Sequence, residues 1–263
     1  MERVLISVDA GVARVRLNRA DKRNGLDLAM FEALIATGER IANDRAVRAV
    51  VLSGEGPAFC AGLDWNAFLA DADASRKLLA RDLARSPANV AQRACWVWTE
   101  IPVPVIAAVH GAALGGGLQL ALACDLRVVA PDAQLSVMEI RYGLVPDMTA
   151  SQTLMRLVRP DIAKELVFTG RIVTGDEAVR IGLATRLAAD PLAEATAIAT
   201  AIAAQSPHAI VAGKALLDRA PAMSVADALA YETELQLGLL GTPNQTAAVQ
   251  AAMTKRAGRF SDR

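Results

Sequence analysis

The chain has 263 residues, of which 28 are Lys or Arg and 28 are Asp or Glu, and 53% are apolar. That length excludes a small disulfide-stapled or disordered class and suffices for one large α/β core, or for such a core with an appended helical segment. The balanced charge offers no basic field to nucleic acid or to an anionic membrane, so an anionic ligand has to be met by local groups.

The N-terminal stretch MERVLISVDAGVARVRLNR is charged from its second residue and alternates apolar with polar, unlike a signal or transit peptide. Val4 to Val8 and Val12 to Leu17 flank DAG and predict a hairpin. Leu28 to Ile41 places Phe31, Leu34, Ile35 and Ile41 on one helical face. VRAVVLSG and VPVIAAVHG are short apolar runs ending in Gly, the form of buried strands that feed turns, and DLRVVAP and AQLSV continue the pattern. Between them, Asn66 to Ala94 is polar and rich in Ala and Arg, and reads as a mobile helical flap.

Ile101 to Cys124 carries no formal charge over 24 residues, yet Pro102, Pro104, Gly111, His110, Gln119 and the triplet Gly115-Gly116-Gly117 argue against a membrane span. A strand, a turn and a buried helix fit better. Three consecutive glycines cost backbone entropy on folding, so bare backbone is needed there. The second half predicts short helices from about Thr149 onward: Thr174 with Glu177, Asp190-Pro191, Ser206-Pro207 and Ser224 with Asp227 are start signals. Cys60, Cys95 and Cys124 lack the paired spacing of a zinc or redox site and read as reduced core residues, which points to the cytoplasm. No cluster has metal-ligand spacing.

Two glycine turns follow strands, GEGPAFCAGLDW after Val47 to Leu52 and HGAALGGG after Val103 to Val109. With VRLNRADKRNGLD before them, and MEIRYGLVPD, ELVFTGRIVTGDEAVRIGLATRL and KRAGRF after them, the chain resembles the crotonase superfamily, the enoyl-CoA hydratases and isomerases, over most of its length. The resemblance implies an α/β fold: a crotonase-type spiral of repeated ββα units over residues 1–195, then a C-terminal helical trimerisation region over 196–263. It implies an acyl-CoA substrate, coenzyme A as part of that substrate with no permanently bound cofactor, a role in fatty acid metabolism, and a homotrimer or a dimer of trimers.

By the resemblance, the backbone amides of Leu63 and Gly116 form an oxyanion hole for the thioester oxygen. Each such donor is typically worth about 3 kcal/mol in the transition state. Similar hydratases carry glutamate at the positions matching Gln119 and Glu139; here the first is an amide, which can hold substrate or water but cannot ionise. A second acid, Asp147, stands where many hydratases have glycine. Dienoyl-CoA isomerases place acids at both the Glu139 and the Asp147 positions, and 4-chlorobenzoyl-CoA dehalogenases use an aspartate near the latter as nucleophile. The expected chemistry is a double-bond isomerisation with Glu139 and Asp147 moving the proton. Hydration of a 2-enoyl-CoA, or acyl-CoA binding without catalysis, are the alternatives.

Lys22, Arg23 and Lys255 are the implied cations for coenzyme A, and Asp64 and Trp65 the implied border of its pantetheine path. Leu63, Trp65, Met138, Tyr142 and Met148 are candidates to line the acyl slot. His110 is read as satisfied by local backbone, and His208 has no partner visible in the sequence. Asp147 also admits a plainer role, as a solvated carboxylate or a helix cap before MTASQTL.

Overall fold

A computed structural model describes residues 2–71, 73–81, 83 and 86–263. β1 (Val4–Asp9) and β2 (Val12–Leu17) form the expected antiparallel hairpin, with Val4 opposite Leu17. α1 (Leu28–Asn43) starts at Asp27, whose carboxylate accepts from the Met30 N–H at 2.9 Å, and buries Met30, Phe31, Leu34 and Ile41. β3 (Ala49–Gly54) then lies parallel to β2.

The Asn66 to Ala94 stretch is helical, as expected, but its last residues are not part of a flap. It holds two short helices, α2 (Trp65–Ala70) and α3 (Ala74–Leu79), and its end belongs to a core helix, α4 (Val90–Glu100). Asn89 and Gln92 close a reciprocal capping box, and α4 buries Ala91, Ala94, Cys95, Val97 and Trp98. A capped start with a continuous apolar face makes a packed helix, whatever the polarity of the residues before it. Residues 72, 82, 84 and 85 of this stretch lie outside the described residues.

The uncharged run resolves into β4 (Val105–Val109), β5 (Ala112–Leu114) and a fully buried α5 (Gly116–Leu122). Among the described residues no single helix is long and apolar enough to cross a membrane. Two strands follow, β6 (Leu126–Val129) and β7 (Gln134–Ser136), then α6 (Ala150–Thr153) and α7 (Pro160–Thr169). β8 (Val173–Thr174), α8 (Gly175–Arg180), β9 (Arg186–Leu187) and α9 (Pro191–Ala203) come next, with α9 against the large sheet. The chain ends in α10 (Pro207–Arg219), α11 (Val225–Leu239) and α12 (Pro243–Thr254).

A six-stranded sheet has the order β1-β2-β3-β4-β6-β9, parallel except for the β1/β2 hairpin, and a three-stranded sheet has the order β5-β7-β8. Alternate residues of the large sheet feed two separate cores. Val50, Leu52, Val105, Ala107 and Val109 face the main core with α1 and α4, while Ala49, Val51, Ile106, Ala108 and Val128 meet Ala195, Ala199 and Ala203 of α9. Strand side chains point to opposite faces with period two, so a central strand covered on both sides must be apolar throughout.

The expected division at 195/196 falls inside α9, which is packed on the large sheet. The break comes instead at the bend of 111° between α9 and α10, and the C-terminal helical region begins at Pro207. Three of the expected helix starts hold: the side chains of Thr174, Asp190 and Ser224 accept from the backbone three residues on. Ser206 starts α10 without a side-chain cap bond, and Glu177 turns to Arg171 instead of completing a box with Thr174. His208, without a partner in the sequence reading, meets the Asn244 side chain at 2.8 Å from its Nδ1.

Candidate active site

The two glycine turns lie against each other. Cys60 pairs in parallel with Ala113, donating its N–H to the Ala112 carbonyl, while the Cys60 carbonyl accepts from Leu114. Gly62 has φ +86°, and a Cβ there would stand 2.5 Å from the Leu114 carbonyl oxygen and 3.7 Å from the Gly116 nitrogen. A Cβ on Gly117 would stand 2.2 Å from the Cys60 carbonyl oxygen. Gly115, at φ +52°, lets the chain leave β5 and enter α5 beneath the Glu139 carboxylate, whose Oε1 is 3.4 Å from where its Cβ would be. Gly117 is therefore needed for close approach of the two turns and Gly115 for its positive φ, whereas a Cβ on Gly116 would meet a side-chain atom, the Met148 Sδ.

Neither the Leu63 N–H nor the Gly116 N–H donates a hydrogen bond within the described residues. Most buried backbone donors are paired, so two unpaired ones on abutting turns are a place for an acceptor from outside, such as a carbonyl oxygen gaining negative charge.

The first turn is held by Arg19 and Asn24, two residues of VRLNRADKRNGLD for which the sequence implied no role. Asn24, fully buried at φ +56°, donates to the carbonyls of Glu55, Ala58 and Phe59 and accepts from the Arg19 N–H. Its signal in the sequence is the Asn-Gly pair, a turn former. Arg19 donates to the Gly25 carbonyl and pairs with Asp64 at 2.7 Å. Lys22 and Arg23 are exposed, and the Arg23 carbonyl accepts from the Ala61 N–H, which places both cations beside the first turn.

The implied part of Asp64 in a pantetheine path gives way to a structural one. Its carboxylate caps α2 by accepting from the Ala67 N–H and pairs with Arg19. Those contacts outweigh burial and hold its pKa below the ordinary aspartate value. Trp65, half-buried, stacks on Tyr142 with ring centroids 4.7 Å apart and planes 35° apart, joining the two sides of the site. Lys255 ends α12 in a left-handed conformation and is exposed.

Glu139 opens a single 3-10 turn, Glu139–Tyr142. Its Oε1 accepts from the Gln119 Nε2 at 2.6 Å, and its Oε2 is buried with no hydrogen-bond partner. Burial raises its pKa above the ordinary glutamate value, the Gln119 bond opposes this, and the charge of Asp147 adds to the rise. Asp147 does not cap a helix: α6 begins after Thr149, and the Asp147 side chain is exposed beside the cluster with its own pKa raised by its partly desolvated surroundings. Met148 lies against the second turn, its Sδ 2.6 Å from where a Gly116 Cβ would be.

Gln119 is fully buried. Its carbonyl oxygen accepts from the Met148 N–H at 2.9 Å and the Ala150 N–H at 3.1 Å, and its amide nitrogen goes to Glu139. The side chain thus serves protein groups and not the substrate or water expected of it. His110 bonds the Gly56 carbonyl through Nε2 at 2.8 Å, so backbone satisfies it as expected, but from the first glycine turn, 54 residues away, and not locally. The three cysteines are buried free thiols, with Cys60 and Cys124 pushed up to about 12 by burial.

A profile of the family described as enoyl-CoA hydratase/isomerase matches residues 7–263. The chain is 33% identical to the mitochondrial Delta(3,5)-Delta(2,4)-dienoyl-CoA isomerase of Rattus norvegicus, over 95% of this chain and 79% of the relative. It is likewise 33% identical to the human mitochondrial enoyl-CoA hydratase domain-containing protein 2, over 98% and 88%. Among solved structures, the enoyl-CoA hydratase of Bacillus anthracis superposes with a TM-score of 0.88 at 30% identity, covering 98% of both chains.

Proposed function

We propose, for a chain that belongs to the enoyl-CoA hydratase/isomerase family, that it is a double-bond isomerase of enoyl-CoA or dienoyl-CoA thioesters. The observation that carries this reading is the state of the carboxylates. Glu139 has one buried, unpartnered oxygen next to the second glycine turn, and its partner in proton transfer is a second carboxylate, Asp147, because Gln119 cannot ionise.

In this mechanism the thioester carbonyl oxygen takes the unpaired N–H groups of Leu63 and Gly116. One carboxylate of the pair removes a proton from the carbon chain, the electron pair moves onto the thioester oxygen as an enolate, and the other, protonated, carboxyl returns a proton to a more distant carbon. Burial raises both pKa values, and the charge of Asp147 raises that of Glu139 further, so both acids are shifted toward the protonated form that proton return requires. The acyl chain runs past Met148 and the Trp65/Tyr142 stack, with Met138 and Leu63 beside them.

Lys22 and Arg23 meet the phosphates of coenzyme A at the first turn, and Lys255 meets its nucleotide end. The working form is a homotrimer or a dimer of trimers. In support, α11 buries none of its fifteen residues within its own chain, leaving Val225 78% and Leu237 66% exposed, an apolar face for another copy. Three free buried thiols accord with a reducing compartment, the cytoplasm.

The test is product mass in deuterated water with 2-enoyl-, 3-enoyl- and 3,5-dienoyl-CoA. The expected result is migration of the double bond with deuterium incorporated and no water added. Gain of one water would make the chain a hydratase, and inertness toward all three with retained binding would make it a binding protein.

A further inference from the structure

The geometry points to Gln119 as a positioning residue that ties the two acids together, its amide nitrogen orienting Glu139 and its carbonyl oxygen holding the strained turn that carries Asp147. The inference rests on the proposed isomerase reading and gives the amide at this place a reason of its own.

The Gln119 Oε1 accepts from Met148 and from Ala150, the residues on either side of Thr149. Thr149 has φ +78° and ψ +6°, a left-handed conformation that a β-branched residue seldom adopts, and its hydroxyl is buried with no partner. Such a residue persists only where its surroundings over-determine it. Two N–H groups fastened to one oxygen, from the residues flanking the kink, supply that determination. The kink sets the direction of Asp147, two residues earlier, while the same side chain donates to Glu139 at 2.6 Å and leaves Oε2 as the open oxygen.

Only a group with an acceptor on one branch and a donor on the other does both. An ionised glutamate would accept from the two N–H groups but repel Glu139; a methionine would do neither. The ionisable groups facing this cluster are Glu139, Asp147 and, from α4, the Cys95 thiol, which burial first, and the charges around it with both acids among them, raise well above its ordinary value, so that it stays protonated near neutrality. Arg141, on the turn of Glu139, is exposed, and Arg93 of α4 pairs with Glu39 and Glu100.

Two variants test this. Gln119→Glu puts a carboxyl where the amide stood; protonated, it still donates to Glu139, and ionised, it cannot. Its folded pKa lies above its unfolded one, so the native state binds the proton more tightly and stability relative to the wild type falls as pH rises. The expected deficit in Tm is about 5 °C at pH 8, closing to about 1 °C at pH 5. Gln119→Met removes the donor, so the apparent pKa values in the pH profile of isomerisation move up by about half a pH unit or more, with kcat down about tenfold. A Tm deficit independent of pH, or a Gln119→Met profile lowered evenly without moving, overturns the inference. If the wild type isomerises none of the three thioesters, the proposed function fails, and a Gln119→Glu deficit that does not change with pH still overturns the tie.

Discussion

A Cβ placed on Gly117 would lie 2.2 Å from the carbonyl oxygen of Cys60 and 2.8 Å from its Cβ, so the second glycine turn can seat against the first only with a bare backbone at this position. Gly117→Ala must therefore push the two turns apart. Overpacking of this kind costs about 1–3 kcal/mol, a loss of roughly 3–10 °C in Tm for a chain of this size. It also moves Gly116 relative to Leu63, so isomerisation should fall by about tenfold or more. Gly213→Ala is the control: it lies in α10 with nothing within 4 Å of an added Cβ, and should raise stability by about 0.5–1 kcal/mol. Thermal melts with kinetics on both variants make the comparison, and equal effects would show that contact at Gly117 is unimportant.

Glu139→Gln should retain the fold and lose isomerisation by about 10²–10⁴-fold, the range of a general acid or base. It should also change the pH dependence of stability. The folded pKa of Glu139 is raised, so the native state holds its proton more tightly than the unfolded chain, and wild-type stability falls as pH climbs from the ordinary glutamate value through the raised one. In the variant this slope disappears. Denaturant titrations at stepped pH check it, and identical slopes would return Glu139 to an ordinary carboxylate.

Asp64 makes the opposite case. Its folded pKa is depressed, so the unfolded chain binds the proton more tightly, and the stability it contributes is present above the ordinary aspartate value and lost as pH falls through the lower one. Asp64→Ala removes both the α2 cap and the Arg19 partner and should cost about 1–2 kcal/mol at pH 7. Asp64→Asn keeps a cap oxygen and should cost less. Unfolding midpoints of the three proteins from pH 7 down to pH 3 should converge toward the acid end; parallel curves would contradict the assignment.

The strands, α1 and both glycine turns were legible in the sequence because each is a local pattern: alternation, a 3.6-residue period, or a strand ending in glycine. What was not legible depends on partners distant in sequence. The tie from Gln119 reaches twenty residues to Glu139 and about thirty to Met148 and Ala150, and the bare symbol Gln gives no hint that both ends of the amide are engaged. Asp64 resembled a site residue by its neighbours, yet its partner Arg19 lies 45 residues back. The place of α9 on the sheet leaves no mark in the sequence because its buried face is built of Ala195, Ala199 and Ala203, too small to make an amphipathic stripe.

Trp65 and Tyr142 come from opposite sides of the site, one from the helix after the first turn and one from the 3-10 turn of Glu139, and they meet with centroids 4.7 Å apart. Offset pairs of this kind are worth about 0.5–1.5 kcal/mol beyond the area they bury. In a double-mutant cycle with Trp65→Ala and Tyr142→Ala, the coupling in stability should fall in that range, because each ring is the other's packing partner. The same variants should raise KM for long acyl chains more than they lower kcat, since the stack borders the slot and carries no group that transfers a proton. A coupling near zero would mean that the rings touch without holding the two sides together. A loss confined to kcat would instead show that the stack acts through the position of Glu139, three residues before Tyr142 on the same turn.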